Sequence, residues 1–192
     1  MGATLRWTSA DLETLPEDGK RYEIIDGELH MSKQPHWHHQ AVCGQAFALL
    51  QSWSKQTRAG YANIAPGVLF ADDEDVAPDV VWVSGARLGA ALGSDGKLHA
   101  APDLAIEVLA PGPKNERRDR EAKLKLYSQR GVQEYWILDW RKRQVEIYRR
   151  TSGVLQLVAT LFSTDTLQSP MLPGFSCRVE EFFEHLPDIG PA

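Results

Sequence analysis

Two cysteines, Cys43 and Cys177, are all the chain has. That number is too small for a disulfide framework or a cysteine-based zinc cluster, and both lie in apolar surroundings, so they read as buried free thiols. No apolar run approaches the roughly 18–20 residues that a membrane span requires. The first fifteen residues hold no apolar stretch behind their charges, so they are not read as a secretory leader. These absences suit a soluble protein of a reducing cytoplasm with no membrane partner. Repeats and low-complexity linkers are also missing. What remains is an ordinary globular composition over 192 residues, 43% hydrophobic and 24% charged, read as one domain spanning 1–192.

The net charge of −5 argues at first against nucleic acid, but it is unevenly spread. Residues 114–150 carry twelve of the 21 Lys and Arg against six acids, and the rest of the chain carries nine against twenty. A basic stripe on an acidic protein still neutralises phosphates locally. A solvated helix and hairpin face would give the same counts.

Periodicity supplies the element order. Thr8–Leu15 reads as a short helix capped by Thr8 or Ser9 and closed by Pro16. Asp26-Gly27 between two apolar runs predicts a hairpin over residues 21–32, because both turn positions need positive φ. Val42, Ala46, Leu49, Leu50 and Trp53 recur at helical spacing over about 38–56. A strand over 61–70, interrupted near Pro66, is followed by a loop at Asp72–Asp75. Two short strands come next, at 78–84 and 102–109, with a Gly/Ala-rich loop between them. A charged helix over 115–129 ends at Gly131, and strands follow at 134–139, 144–149 and 154–161. A turn-rich tail and a short helix at 179–184 complete the chain. The pattern predicts an α/β (α+β) fold, a mixed sheet flanked by helices.

Strand parity then isolates two acids. In 102–109, Leu104, Ile106 and Val108 face one way, and Asp103, Ala105, Glu107 and Leu109 the other. Glu107 is therefore a carboxylate inside an apolar strand, and Asp79 opens the equally apolar Val80-Val81-Trp82-Val83. A buried acid without a partner costs several kcal/mol, roughly, so each needs a partner or a cation. Two such acids on adjacent strand ends suit Mg²⁺ or Mn²⁺, which favour carboxylate oxygens. Either acid alone is equally served by a salt bridge. Asp119, Lys123 and Tyr127 follow at intervals of four, which sets Lys123 at the border of an inward helix stripe. An exposed Asp119–Lys123 pair is the alternative. Asp103 reads as structural, and His36 and His38 as loop residues.

The run of Tyr22–Glu28, His39, Pro78-Asp79, the strand over 102–109 with Glu107, then Asp119, Lys123, Tyr127 and Gly131–Trp136, resembles the Uma2 family of bacterial endonuclease-like proteins. The likeness covers roughly residues 20–180, and Ser169–Phe175 resembles the family's closing motif. It implies a restriction-endonuclease-like core of about five strands and a PD-(D/E)XK site in which Asp79 and Glu107 are the metal-holding acids. The lysine of that signature should stand two residues after the second acid, where this chain has Leu109. The resemblance implies that Lys123 supplies it from the next helix, orienting or deprotonating water and touching the phosphate. Glu28 and His39 match positions that the family favours and are supporting candidates.

The expected activity is metal-dependent hydrolysis of nucleic acid, DNA foremost, by a homodimer. Arg117, Arg118, Arg120, Arg141, Lys142 and Arg143 would track the backbone. The alternative from another class is a silent nuclease fold that binds nucleic acid or protein, and Leu109 motivates it.

Overall fold

A computed structural model describes residues 5–187. The Asp26-Gly27 turn adopts positive φ at both positions, 52° and 73°, as a two-residue hairpin demands. It joins β1 (Arg21–Ile25) to β2 (Glu28–Ser32), with Arg21 paired to Ser32 and Ile25 to Glu28. Ahead of them, α1 (Ser9–Leu12) is a short helix with Thr8 at its N-cap, whose amide and hydroxyl both donate to the Asp11 carboxylate.

The helix α2 (Trp37–Thr57) buries Val42, Ala46, Leu50 and Trp53. The strand expected over 61–70 is two strands in different sheets: β3 (Gly60–Ile64) and β4 (Val68–Ala71). The loop expected at 72–75 is partly strand. Glu74 and Asp75 begin β5 (Glu74–Val76) and are buried, each neutralised by a cation, Arg130 and Lys97 respectively. Acidic composition suggested solvent there, but the ion pairs make burial tolerable. Next come β6 (Val80–Ser84), then α3 (Gly85–Ala91) where a Gly/Ala-rich loop was expected, then β7 (Leu104–Val108). The charged helix runs through α4 (Pro113–Arg117), a π-helical turn (Arg118–Lys123) and α5 (Leu124–Arg130), and ends on Gly131 at φ 95°. Strands β8 (Glu134–Asp139), β9 (Gln144–Thr151) and β10 (Val154–Phe162) follow, then a small hairpin of β11 (Thr166–Gln168) and β12 (Ser176–Arg178), and a 3₁₀ turn over Val179–Phe183.

The main sheet has six strands in the order β10-β9-β8-β7-β6-β3, and only β7 and β8 run parallel. A parallel neighbour needs a crossover of a dozen or more residues, and the α4–α5 helix is that crossover. A second sheet, β2-β1-β5-β4, is antiparallel throughout. The expected architecture, a mixed sheet flanked by helices, is therefore present, with one strand more than expected and an additional sheet. Two cores result. On one face of the main sheet, α2, β11–β12 and the 3₁₀ turn pack on Leu104, Ile106 and Val108. On the other, Ala105 and Leu109 meet Ile25, Val68, Leu126 and Tyr127 from the second sheet and the crossover helix. Cys43 and Cys177 are free and buried.

Gly60 marks the tightest approach. It pairs with Ser84, and a Cβ there would stand 2.3 Å from the Val83 carbonyl oxygen and 2.5 Å from the Trp82 ring. The backbone carbonyl cannot swing away. Gly60→Ala is expected to lower the melting temperature by roughly 2–12 °C through overpacking. A thermal scan monitored by circular dichroism checks this, and an unchanged midpoint would contradict the packing described.

Candidate active site

Antiparallel pairing sets Val80 opposite Ile106 and Val81 opposite Ala105, so Asp79 and Glu107 stand across from one another at one end of β6 and β7. The Val108 amide donates to Asp79 Oδ2 at 2.9 Å and ties the two strand ends together. Directly opposed residues have Cβ atoms about 4.5–5.5 Å apart. Glu107 points to the face of Ala105 and Leu109, as parity predicted, Asp79 opposite it shares that face, and both line a cleft of 1220 Å³ between the β1–β2 hairpin and the crossover helix.

Each acid has its own set of partners. Asp79 takes His39 Nε2 on Oδ2 and Arg21 Nη1 on Oδ1, both at 3.2 Å. Burial alone would raise its pKa, but hydrogen bonds and charge from His39, with Lys123 and the Val108 amide, hold it well below the ordinary range. Asp79 is a fixed anion. Glu107 accepts from Lys123 Nζ at 2.9 Å and from the Tyr127 hydroxyl at 2.7 Å, both on Oε1. Its pKa is pushed up to about 8, first by burial, against the pull of Lys123, and then by repulsion from Asp79, Asp119 and Glu23. Two carboxylates in one site are thus driven apart in proton affinity.

Lys123 is fully buried and clamped, with Nζ 2.9 Å from Glu107 Oε1 and 2.9 Å from Glu23 Oε1. Burial works against its charge, but Glu107, Glu23 and Asp119 outweigh it and raise its pKa. A lysine so held takes no proton from water, and Lys123 is absent from the cleft lining. The sequence placed it beside Glu107 as an agent on water and phosphate. The structure keeps the proximity and removes the access.

The π turn explains how polar residues came to face inward here. Residues four apart drift by about 40° on an α-helix. A wider turn offsets that drift, so Asp119, Lys123 and Tyr127 all end fully buried. Asp119 meets Arg118 Nε at 2.9 Å through Oδ1, while its Oδ2 is buried without a hydrogen-bond partner.

Other expected residues fall elsewhere. Glu28 is exposed on β2; it lines the cleft but stands outside the buried acid cluster. His36 lies in the loop before α2, as expected, and caps the helix by accepting from the His38 amide at 3.1 Å; His38 is not a loop residue but sits in the first turn of α2, buried against the Pro187 carbonyl at 2.8 Å. The basic stripe divides. Arg117 and Arg118 line the cleft, whereas Arg120 pairs with Glu146, Arg141 with Glu116 at 2.7 Å, and Lys142 approaches Asp139 at 3.9 Å, away from it. Arg143 occupies a turn at φ 49° outside the cleft. Asp103 is structural, receiving the Ser84 amide at 2.8 Å and Arg87.

Two residues escaped sequence reasoning. Glu23 and Arg21 share one side of β1. Glu23 is buried and accepts the Ala77 amide at 2.9 Å as well as Lys123. Arg21 lines the cleft beside Asp79, and Lys20 and Lys33 from the hairpin region add charge to the same wall.

His39, Cys43 and Asp79 bring possible ligand atoms within 4.8 Å of one another. They do not suit one ion. His39 turns Nε2 to Asp79 and Nδ1 to the Cys43 sulfur at 3.6 Å, so the two partners address opposite sides of the ring. Burial raises the Cys43 thiol pKa, and a soft sulfur is a poor donor for a hard cation such as Mg²⁺ or Mn²⁺. Asp79 with Glu107 is the better donor set. Both are hard oxygen ligands, and no hydrogen bond among the described residues engages Glu107 Oε2.

The fold, a mixed sheet flanked by helices, is shared with a solved structure. The structure superposes with a TM-score of 0.75 on the crystal structure of "a putative nuclease belonging to DUF820" from Anabaena variabilis, at 20% identity, over 92% of this chain and 97% of that one. The chain belongs to the Uma2 family, described as "Putative restriction endonuclease", whose sequence profile matches residues 9–180. No curated protein matches it. No helix among the described residues is long and apolar enough to cross a membrane.

Proposed function

We propose that this protein is a divalent-metal-dependent nuclease that hydrolyses phosphodiester bonds in nucleic acid, DNA foremost. The observation carrying this reading is the pairing of Asp79 and Glu107 at facing strand ends, at the base of a cleft walled by cationic side chains. Asp79 and Glu107 would hold Mg²⁺ or Mn²⁺. What such a cation supplies is Lewis acidity, which lowers the pKa of a water and offsets charge on the phosphate. Asp79 is kept ionised and oriented by His39 and the Val108 amide. Tyr127 and Lys123 fix the Glu107 carboxyl group through Oε1, and no hydrogen bond among the described residues engages Oε2. Lys123 is here a positioning residue. Arg117 and Arg118 lend positive charge to the helix-side wall, where it offsets that of a polyanion.

Calorimetric titration of Mg²⁺ and Mn²⁺, paired with an oligonucleotide cleavage assay, tests the reading. Wild type is expected to bind and cleave, and Asp79→Asn to do neither while remaining folded. A proton on Glu107 competes with the cation, so affinity should climb with pH and level off above about 8. Flat affinity across that range would count against Glu107 as a ligand. Leu109 favours a second reading, a fold that binds nucleic acid without cutting it. Oligonucleotide binding that survives Asp79→Asn, with no cleavage by wild type under either metal, would select that second reading.

A further inference from the structure

The family signature's lysine position holds Leu109, and its side chain is fully buried in an apolar core. Lys123 is sealed between two carboxylates. A site built to cut a phosphodiester still needs a cation that can touch it. We propose, resting on the nuclease reading, that Arg21 grips the scissile phosphate from the opposite sheet.

Besides Lys123, three basic side chains among the described residues touch Asp79, Glu107, Glu23 or Asp119: His39, Arg118 and Arg21. His39 is committed to Asp79, and Arg118 spans from Asp119 to the Ser32 hydroxyl at 2.8 Å, bracing the hairpin to the helix with its side chain 13% exposed. Arg21 differs. Its side chain is 36% exposed and lines the cleft. Both of its protein contacts, Asp79 Oδ1 at 3.2 Å and the Ala77 carbonyl at 3.1 Å, are made by Nη1. No hydrogen bond among the described residues uses Nη2 or Nε, so the opposite side of the fork has donors to spare. A guanidinium anchored at one corner and open along an edge offers two parallel donors, the arrangement that matches phosphate oxygens. Asp79 thereby orients the arginine while keeping its own place between the strands. The hairpin register, Arg21 against Ser32, sets the arginine on the Glu23 side of β1 and so over the acids.

The test measures binding apart from cutting. In a Glu107→Gln background, affinity for a short fluorescein-labelled oligonucleotide is followed by anisotropy over a range of salt. Adding Arg21→Gln is expected to weaken binding tenfold or more at low salt and to flatten the log K against log salt slope by about one. Arg21→Lys in the otherwise unaltered protein keeps a charge but presents no fork. It should retain the salt slope, melt close to wild type, and lose cleavage chiefly in kcat. Arg21→Gln with unchanged affinity and slope would overturn the assignment while leaving the nuclease reading intact. Failure of the Glu107→Gln parent to bind any oligonucleotide, together with no cleavage by wild type, would overturn both.

Discussion

Lys123→Met should lower the melting temperature by roughly 6–20 °C, the largest stability effect of any single substitution in this site. The ammonium is fully buried, neutralises the buried Glu23 carboxylate and also donates to the Glu107 carboxyl group. Removing one partner from a buried ionic group costs about 3–5 kcal/mol, because the remaining charge has nowhere to go. Methionine fills the volume, so the loss is electrostatic and not a cavity. The pH dependence follows from Glu23, whose pKa is lowered below 4.5 because Lys123, Arg118 and the Ala77 amide outweigh burial. A depressed folded-state pKa contributes stability above the unfolded value and loses it as pH falls through the folded one. The gap between wild type and Lys123→Met should therefore be widest near neutrality and shrink below about pH 4.5. Adding Glu23→Gln to the variant should recover part of the loss, since the two positions share one interaction. A Lys123→Met protein that melts like wild type but has lost cleavage would instead place the lysine at the reacting atoms.

How much of this arrangement was legible beforehand depended on whether a residue's environment was local. The Asp26-Gly27 turn, the α2 stripe and the Gly131 stop are set by short-range conformational needs, and all lie where the pattern put them. Asp79 and Glu107 were visible because a carboxylate amid an apolar strand violates a pattern that the strand itself defines. Glu23 gave no such warning. In a hairpin, Arg21 and Glu23 alternate with Tyr22 and Ile24 as solvent-facing residues do, and the burial of Glu23 arises only when the helix with Lys123 packs over that side. A second sheet was likewise invisible, since Glu74 and Asp75 are polar residues whose burial depends on Arg130 and Lys97 from distant parts of the chain. The basic stripe misled for the reciprocal reason. Counting charges along 114–150 could not show that Arg120 and Arg141 are spent on Glu146 and Glu116, while the hairpin contributes cations to the cleft.

Glu107→Gln is where function and stability should part most sharply. Cleavage should fall by about 10²–10³-fold or more with the loss of a charged group that acts on the developing transition state. Stability should not fall with it. Without a cation the Glu107 carboxyl has its pKa up at about 8, so the folded protein holds a proton at neutral pH that the unfolded chain, near 4.5, has released. A raised folded-state pKa in an acid means that stability declines as pH rises from the unfolded value to the folded one. Wild type should therefore lose stability between about pH 4.5 and 8, and Glu107→Gln should not, so that the variant melts at least as high as wild type by pH 8. Its amide oxygen still accepts from Lys123 and Tyr127, which keeps both from being stranded. Mg²⁺ reverses the order. A ligand that binds only the native state raises the melting temperature with concentration, and wild type should gain from it while Glu107→Gln does not. Thermal scans at several pH values with and without Mg²⁺ separate the possibilities. A Glu107→Gln protein destabilised at every pH, beside a wild type indifferent to Mg²⁺, would make the acid a structural partner of Lys123. The opposite pattern is that of a site whose excess negative charge is kept at the expense of stability because a cation and a phosphate use it.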